Sequence, residues 1–167
     1  GIGSRFFFYI RKNKPKQFLD FFGTGHTLLQ LTFDRYSKIV PKENIFVSTN
    51  SQYAELVKEQ LPQLSESQIL LEPIRRNTAP CIAWASLHIQ QLNPEANIIV
   101  APADHLILKE AEFIEAITQG LEFVAQSPQL LTLGIKPNRP ETGYGYIQID
   151  DEKQGNFYKV KTFIEKP

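Results

Sequence analysis

The chain contains no methionine and one cysteine, Cys81. A single cysteine excludes an internal disulfide and argues against a thiolate metal cluster. It is expected to be a buried, inert thiol in a reducing compartment, which places the protein in the cytoplasm. An excess of one charge is also missing: 18 basic and 18 acidic residues give a formal net charge of zero. That argues against nucleic acid or an anionic membrane as a partner, because both rely on a broad positive field. No apolar run approaches the roughly 18 residues of a membrane span. The run "RFFFYI" is too short for a signal-peptide core and has no cleavage pattern. Repeats and low-complexity stretches are absent. What remains is a chain of 167 residues, 42% hydrophobic, which suits one domain with a core. With Gly1 at its start and "VKTFIEKP" running to Pro167, the sequence reads as truncated at both ends.

Short apolar segments bounded by turn residues predict buried strands at 44–50, 68–73, 97–104 and 130–135. Between them lie helical patterns. Residues 27–40 place Leu28, Leu31 and Tyr36 near one face, and 51–61 align Tyr53, Leu56, Val57 and Gln60 behind Ser51 as N-cap. Residues 78–92 align Ile82, Ala85, Ile89 and Leu92, and 110–126 align Phe113, Ile117, Leu121 and Val124. Alternating strand and helix predict an α/β, Rossmann-like, mostly parallel sheet with helices on both faces. Ligands in such sheets bind beyond the carboxyl ends of the strands. A strand is expected just ahead of Gly1.

Three strand-end segments carry candidate chemistry. In "GIGSRFFFYIRKNKPKQFL", Gly1 and Gly3 allow close backbone approach, and successive amides there form an anion nest. Arg5 can fork two phosphate oxygens, and Lys16 adds a compact charge. The plainer alternative is a solvated basic turn. In "VAPADHLI", Asp104 closes an apolar strand and could hold Mg²⁺ together with substrate phosphates, or simply cap the next helix. His105 beside it is expected to be structural, since Mg²⁺ prefers oxygen. In "EPIRRNTAP", Asn77 and the backbone could read a base edge, and Thr78 could cap a helix; a loop-to-helix connection is the alternative.

The motifs "GIGSR", "KPKQFLDFFGTG" with "LLQLTFDR", "EPIRRNTAPCIAWA", "PADH", "PETGYGYI" and "FIEKP" occur in one order from Gly1 to Pro167. In this the chain resembles the nucleotidyltransferases that make nucleotide sugars, and among them the mannose-1-phosphate guanylyltransferase (GDP-mannose pyrophosphorylase) family. The resemblance implies the nucleotide-diphospho-sugar transferase fold, with residues 1–167 as the N-terminal part of its catalytic domain. It implies GTP and mannose 1-phosphate as substrates and Mg²⁺ as cofactor, and leaves homo-oligomerisation open. By resemblance, Gly1 and Gly3 cradle the triphosphate, Arg5 stabilises the departing pyrophosphate, and Lys16 neutralises the reacting phosphates. Asp104 binds the metal. Glu72, Asn77 and Thr78 line the guanosine pocket. Gly145 lets the backbone approach the sugar, Glu165 bonds its hydroxyls, and Lys166 orients its phosphate. The family usually carries Arg-Leu/Phe-Trp-Pro-Leu-Ser/Thr where this chain has Arg5-Phe6-Phe7-Phe8-Tyr9-Ile10, without the proline or the hydroxyl. Its second metal aspartate lies beyond the "EKP" motif. Three other readings go with the resemblance: a non-catalytic nucleotide-binding or regulatory homologue, a related enzyme using another nucleoside triphosphate, and a transferase half joined to an isomerase domain.

Overall fold

The structure, a computed structural model, describes residues 15–74, 77–140 and 142–166. It divides into two compact units, Gly1–Pro128 and Gln129–Pro167.

In the first unit a 3₁₀ turn, Lys16–Phe18, precedes helix α1 (Leu28–Tyr36). Helix α1 starts at a capping box: Gln30 N–H donates to Thr27 Oγ1 (3.3 Å), and Thr27 N–H donates to Gln30 Oε1 (2.9 Å). It ends at Tyr36, short of Val40. There Ser37 Oγ donates to the Phe33 carbonyl (2.9 Å), and Pro41 follows. Its buried face is Leu28, Leu29 and Phe33, so the expected stripe of Leu28, Leu31 and Tyr36 is rotated.

Strand β1 (Val47–Thr49) pairs in parallel with β2 (Ile69–Leu71), with Val47 opposite Ile69. Helix α2 (Ala54–Gln60) lies between them in sequence and α3 (Thr78–Leu92) follows. The pleat distributes these helices. Ile45 and Val47 face the core of Phe18, Leu29, Phe33, Val57, Leu61 and Ile69. Phe46 and Ser48, one residue out of phase, meet His88 and Cys81 of α3. The parallel pair is therefore covered on both faces, as the α/β pattern predicts. Burying each Leu or Phe of the core is worth about 1.5–3 kcal/mol.

Helix α4 (Glu110–Gln126) docks on α1. Tyr36 meets Phe113 edge-on at 6.2 Å. The Arg35 guanidinium lies 5.9 Å from the same ring, with its Nε 3.6 Å from Glu110. Lys38 also pairs with Glu110.

The second unit is a hairpin of β3 (Tyr146–Gln154) and β4 (Phe157–Ile164). Its two-residue turn, Gly155-Asn156, has positive φ only at Gly155 (59°), the pattern of a type II′ turn.

Some expectations differ. Ser51 opens a 3₁₀ turn behind Asn50 and caps nothing. Residues 97–104 and 130–135 form no strand. Parallel strands draw their hydrogen bonds from neighbours, and among the described residues neither run has a ladder partner. Ile98, Val100, Leu130, Leu131, Leu133 and Ile135 remain exposed.

Candidate functional site

Lys16 and Asp104, far apart in sequence, meet in the first unit. Lys16 Nζ lies 2.6 Å from Asp104 Oδ2, with both side chains partly exposed. Asp104 sits in a turn, not at a strand end. It also caps no helix, since α4 begins at Glu110 behind Lys109. Ala103, beside it, packs against the core and fixes where the carboxylate emerges. Lys16 is anchored from the other side. Phe18 is 2% exposed and its ring lies 5.7 Å from that of Tyr53. Leu19 N–H closes the turn onto the Lys16 carbonyl (3.1 Å). A short ion pair at a half-open corner adds about 1 kcal/mol or less to stability. Its chemical content is larger: one cation and one anion held at a fixed point, each able to trade its partner for a ligand.

A second group forms where β2 gives way to α3. Glu72 N–H donates to the Thr49 carbonyl (2.7 Å), extending the parallel ladder by one bond. Cys81 lies 3.3 Å from Ser48 Oγ, and the Glu72 carboxylate is near enough to act on its thiol. Burial pushes the Cys81 thiol up, and the Glu72 contact adds to the rise. Cys81 is half-buried, less enclosed than its sequence suggested. Asn77 occupies the N-cap position of α3 with φ 69° and ψ −169°, and its side chain makes no cap hydrogen bond. That backbone region belongs almost wholly to glycine, and such strain gathers at ligand sites. Thr78 is the first helical residue, not the cap. Asn50 was legible only as a strand end. Its Oδ1 is buried at the close of β1 and has no hydrogen-bond partner among the described residues.

In the hairpin unit, Gly145 precedes β3, and Glu165 and Lys166 follow β4; both of these side chains are exposed. A Cβ on Gly145 would come within 2.9 Å of the Ile164 carbonyl oxygen. The close approach that demands glycine there is strand to strand. Gly1, Gly3 and Arg5 lie outside the described residues. His105 is exposed. His88 stands edge-on to Phe46, and His26 lies 3.5 Å from Asp34.

The nucleotidyl transferase family model matches residues 1–167. The chain belongs to that family. The chain is 41% identical to a mannose-1-phosphate guanylyltransferase of Escherichia coli, over 100% of this chain and 36% of that protein. It is 40% identical to the xanthan biosynthesis protein XanB of Xanthomonas campestris, over 100% of this chain and 35% of that protein. A crystal structure titled mannose-1-phosphate geranyltransferase, from Thermus thermophilus, matches with a TM-score of 0.87 and 32% identity, over 100% of this chain and 48% of that one. The chain thus spans about a third of the length of the curated relatives, 36% of the first four. No helix among the described residues is long and apolar enough to cross a membrane.

Nucleotidyl transferases of this family generally use a divalent metal. Among the described residues there is no group of three or more His, Cys, Asp or Glu side chains that could hold one. Among the described residues Asp104 is the carboxylate that pairs with Lys16. This donor set does not suit a cage built wholly of protein. It suits a hard cation that takes one carboxylate and draws its other oxygens from phosphates and water.

Proposed function

We propose that the protein containing these residues transfers GMP from GTP to mannose 1-phosphate. The observation that carries the reading is the contact of Lys16 with Asp104, which unites the "KPKQFL" and "PADH" motifs at one charged corner. Support comes from relatives named mannose-1-phosphate guanylyltransferase that match the whole chain.

In this reading a phosphate oxygen of mannose 1-phosphate forms a bond to the α-phosphorus of GTP. The bond from that phosphorus to the bridging β-phosphate oxygen breaks, and pyrophosphate carries away the electron pair. Little covalent work falls to the protein, so positioning and charge stabilisation dominate. Lys16, held on its anchored turn, exchanges Asp104 for the reacting phosphates. Asp104, released from Lys16, would be the carboxylate that holds Mg²⁺. When bound, Mg²⁺ supplies charge neutralisation and alignment of the phosphate oxygens. Gly1 and Gly3 cradle the triphosphate, and Arg5 steadies pyrophosphate. Glu72, strained Asn77 and Thr78 line the guanosine pocket, where the orphan Oδ1 of Asn50 can accept from a base N–H. Gly145 lets the backbone run close beside the sugar by allowing the two strands to approach, Glu165 bonds the sugar's hydroxyls and Lys166 holds its phosphate. Residues 1–167 belong to a single nucleotidyltransferase domain, working in the cytoplasm.

The test uses the complete protein, purified and incubated with GTP, mannose 1-phosphate and Mg²⁺. GDP-mannose and pyrophosphate should appear in equal amounts. GTP binding without product would make the protein a nucleotide-binding homologue. Faster product formation from another nucleoside triphosphate would reassign the donor.

A further inference from the structure

Gln60, the last residue of α2, sits on the helix face that carries the buried Val57, yet both the nitrogen and the oxygen of its side chain are engaged in hydrogen bonds. Its Nε2 donates to the Phe18 carbonyl (3.0 Å), the end of the 3₁₀ turn that begins with Lys16. Its Oε1 accepts from Thr27 Oγ1 (2.7 Å), the N-cap of α1. Its own carbonyl accepts from Gln30 Nε2 (3.0 Å), and the Oε1 of Gln30 completes the capping box. One amide therefore joins three elements: the Lys16 turn, the start of α1 and the end of α2. Next to it, Leu28 N–H donates to the Leu19 carbonyl (3.2 Å), which closes the loop between turn and helix.

We propose that Gln60 is a positioning residue for Lys16. It holds the Lys16–Phe18 turn at the height from which the ammonium reaches Asp104 and, on the reading given above, the reacting phosphates. Only an amide fits. The Phe18 carbonyl needs a donor and the Thr27 hydroxyl needs an acceptor, and both must come from one terminal group of this length. Glutamate would set a carboxylate oxygen 3.0 Å from the Phe18 carbonyl and repel it. Methionine would keep the stem and lose both bonds.

Gln68 provides the control. It is a buried glutamine in the same unit, and its Nε2 donates to the carbonyls of Lys42 (2.8 Å) and Ile45 (2.9 Å). It has the same structural task, but among the described residues its hydrogen bonds do not reach the Lys16 turn.

The experiment compares Gln60→Glu, Gln60→Met and Gln68→Glu in the full-length protein. Each is checked for its folded fraction by thermal melting. The first readout needs no substrate: the rate at which Lys16 is acylated by an amine-reactive reagent, followed by mass spectrometry with Lys58 as internal standard. Both Gln60 variants should label Lys16 several-fold faster than the parent, and Gln68→Glu should not. The second readout is kinetic. Both Gln60 variants should lower kcat about tenfold, the loss expected from one displaced charge contact, with little change in KM for mannose 1-phosphate. Gln68→Glu should leave both constants near parental at equal folded fraction. Unchanged Lys16 labelling in folded Gln60→Met would overturn the proposal. So would a kcat loss in Gln68→Glu as large as in the Gln60 variants. A parent that makes no GDP-mannose would instead overturn the functional reading, while the labelling result would still decide the role of Gln60.

Discussion

The two units hold their site residues in different ways. In the first, Lys16 stands on a turn whose Phe18 ring is in the core and whose carbonyl is tied to Gln60. Asp104 follows Ala103, which packs on the same core. In the second, Glu165 and Lys166 are exposed at the end of a hairpin that buries none of its residues fully. Backbone pairing keeps the hairpin together; side-chain packing keeps the Lys16 corner in place. A charge that must stabilise a reacting phosphate has to be fixed in advance, because misplacement by about 1 Å can cost a hundredfold. A charge that recruits a substrate phosphate tolerates more freedom. The difference in support thus parallels the roles proposed for Lys16 and Lys166.

The largest effect should come from Asp104→Asn in the complete protein. Loss of the metal's charge stabilisation is worth several kcal/mol, so turnover should fall by at least about a hundredfold. Melting temperature should barely move, because the Lys16 pair it removes is half-exposed. Turnover near the parental rate would take Asp104 out of the metal site and leave the first unit's corner without its chemistry.

Next in size is a pair of truncations that test the support itself. Leu61 is 1% exposed in the core, and Phe163 of β4 is 68% exposed. Leu61→Ala should cost about 2–5 kcal/mol of stability. Phe163→Ala should cost within about 0.5 kcal/mol. Chemical denaturation measures both. Equal losses would erase the contrast between a packed unit and a paired hairpin.

How much of this contrast was readable beforehand depended on what fixes each feature. Helices α3 and α4 match the expected 78–92 and 110–126, because long apolar periodicity is a local property. Segments 97–104 and 130–135 are more apolar than β1, yet a strand exists only where a partner supplies its hydrogen bonds. The β3–β4 hairpin went unread although Gly155-Asn156 separates two alternating runs. For the site, motif resemblance singled out Lys16 and Asp104, but only folding could show that they touch. Gln60 was visible as a polar residue at apolar spacing; its bonds to Phe18 and Thr27 cross long stretches of sequence and leave no local pattern.

A smaller, more discriminating effect separates the two lysines. Removing one charge-assisted phosphate contact should cost roughly 1.5–3 kcal/mol in either case. Lys16→Ala should lower kcat, since its charge acts at the reacting phosphates. Lys166→Ala should raise KM for mannose 1-phosphate and spare kcat. Steady-state kinetics with the assignments reversed would mean that the exposed hairpin end, not the anchored turn, carries the chemical step.

The smallest effect concerns pH and the β2–α3 connection of the first unit. Burial, with Glu72 adding, holds the Cys81 thiol above its ordinary value of 9.0. The folded state therefore keeps this proton more tightly than the unfolded chain does. The stability it contributes is fully present below the unfolded value and is lost as pH rises through the folded one. Thiolate formation would then place a second negative charge against Glu72. Denaturation midpoints of the parent and of Cys81→Ala should run parallel at neutral pH and converge above about pH 9, as the parent's advantage fades. Glu72→Gln should move that convergence, because it removes a charge that opposes the thiolate: the folded thiol titrates nearer its ordinary value and less stability remains to be lost. Subtracting the Cys81→Ala curve removes the background of lysine and tyrosine titration. If the difference between parent and Cys81→Ala stayed constant across the alkaline range, the thiol would not be linked to folding. The contact of Cys81 with Glu72 would then contribute nothing to holding this end of the parallel pair.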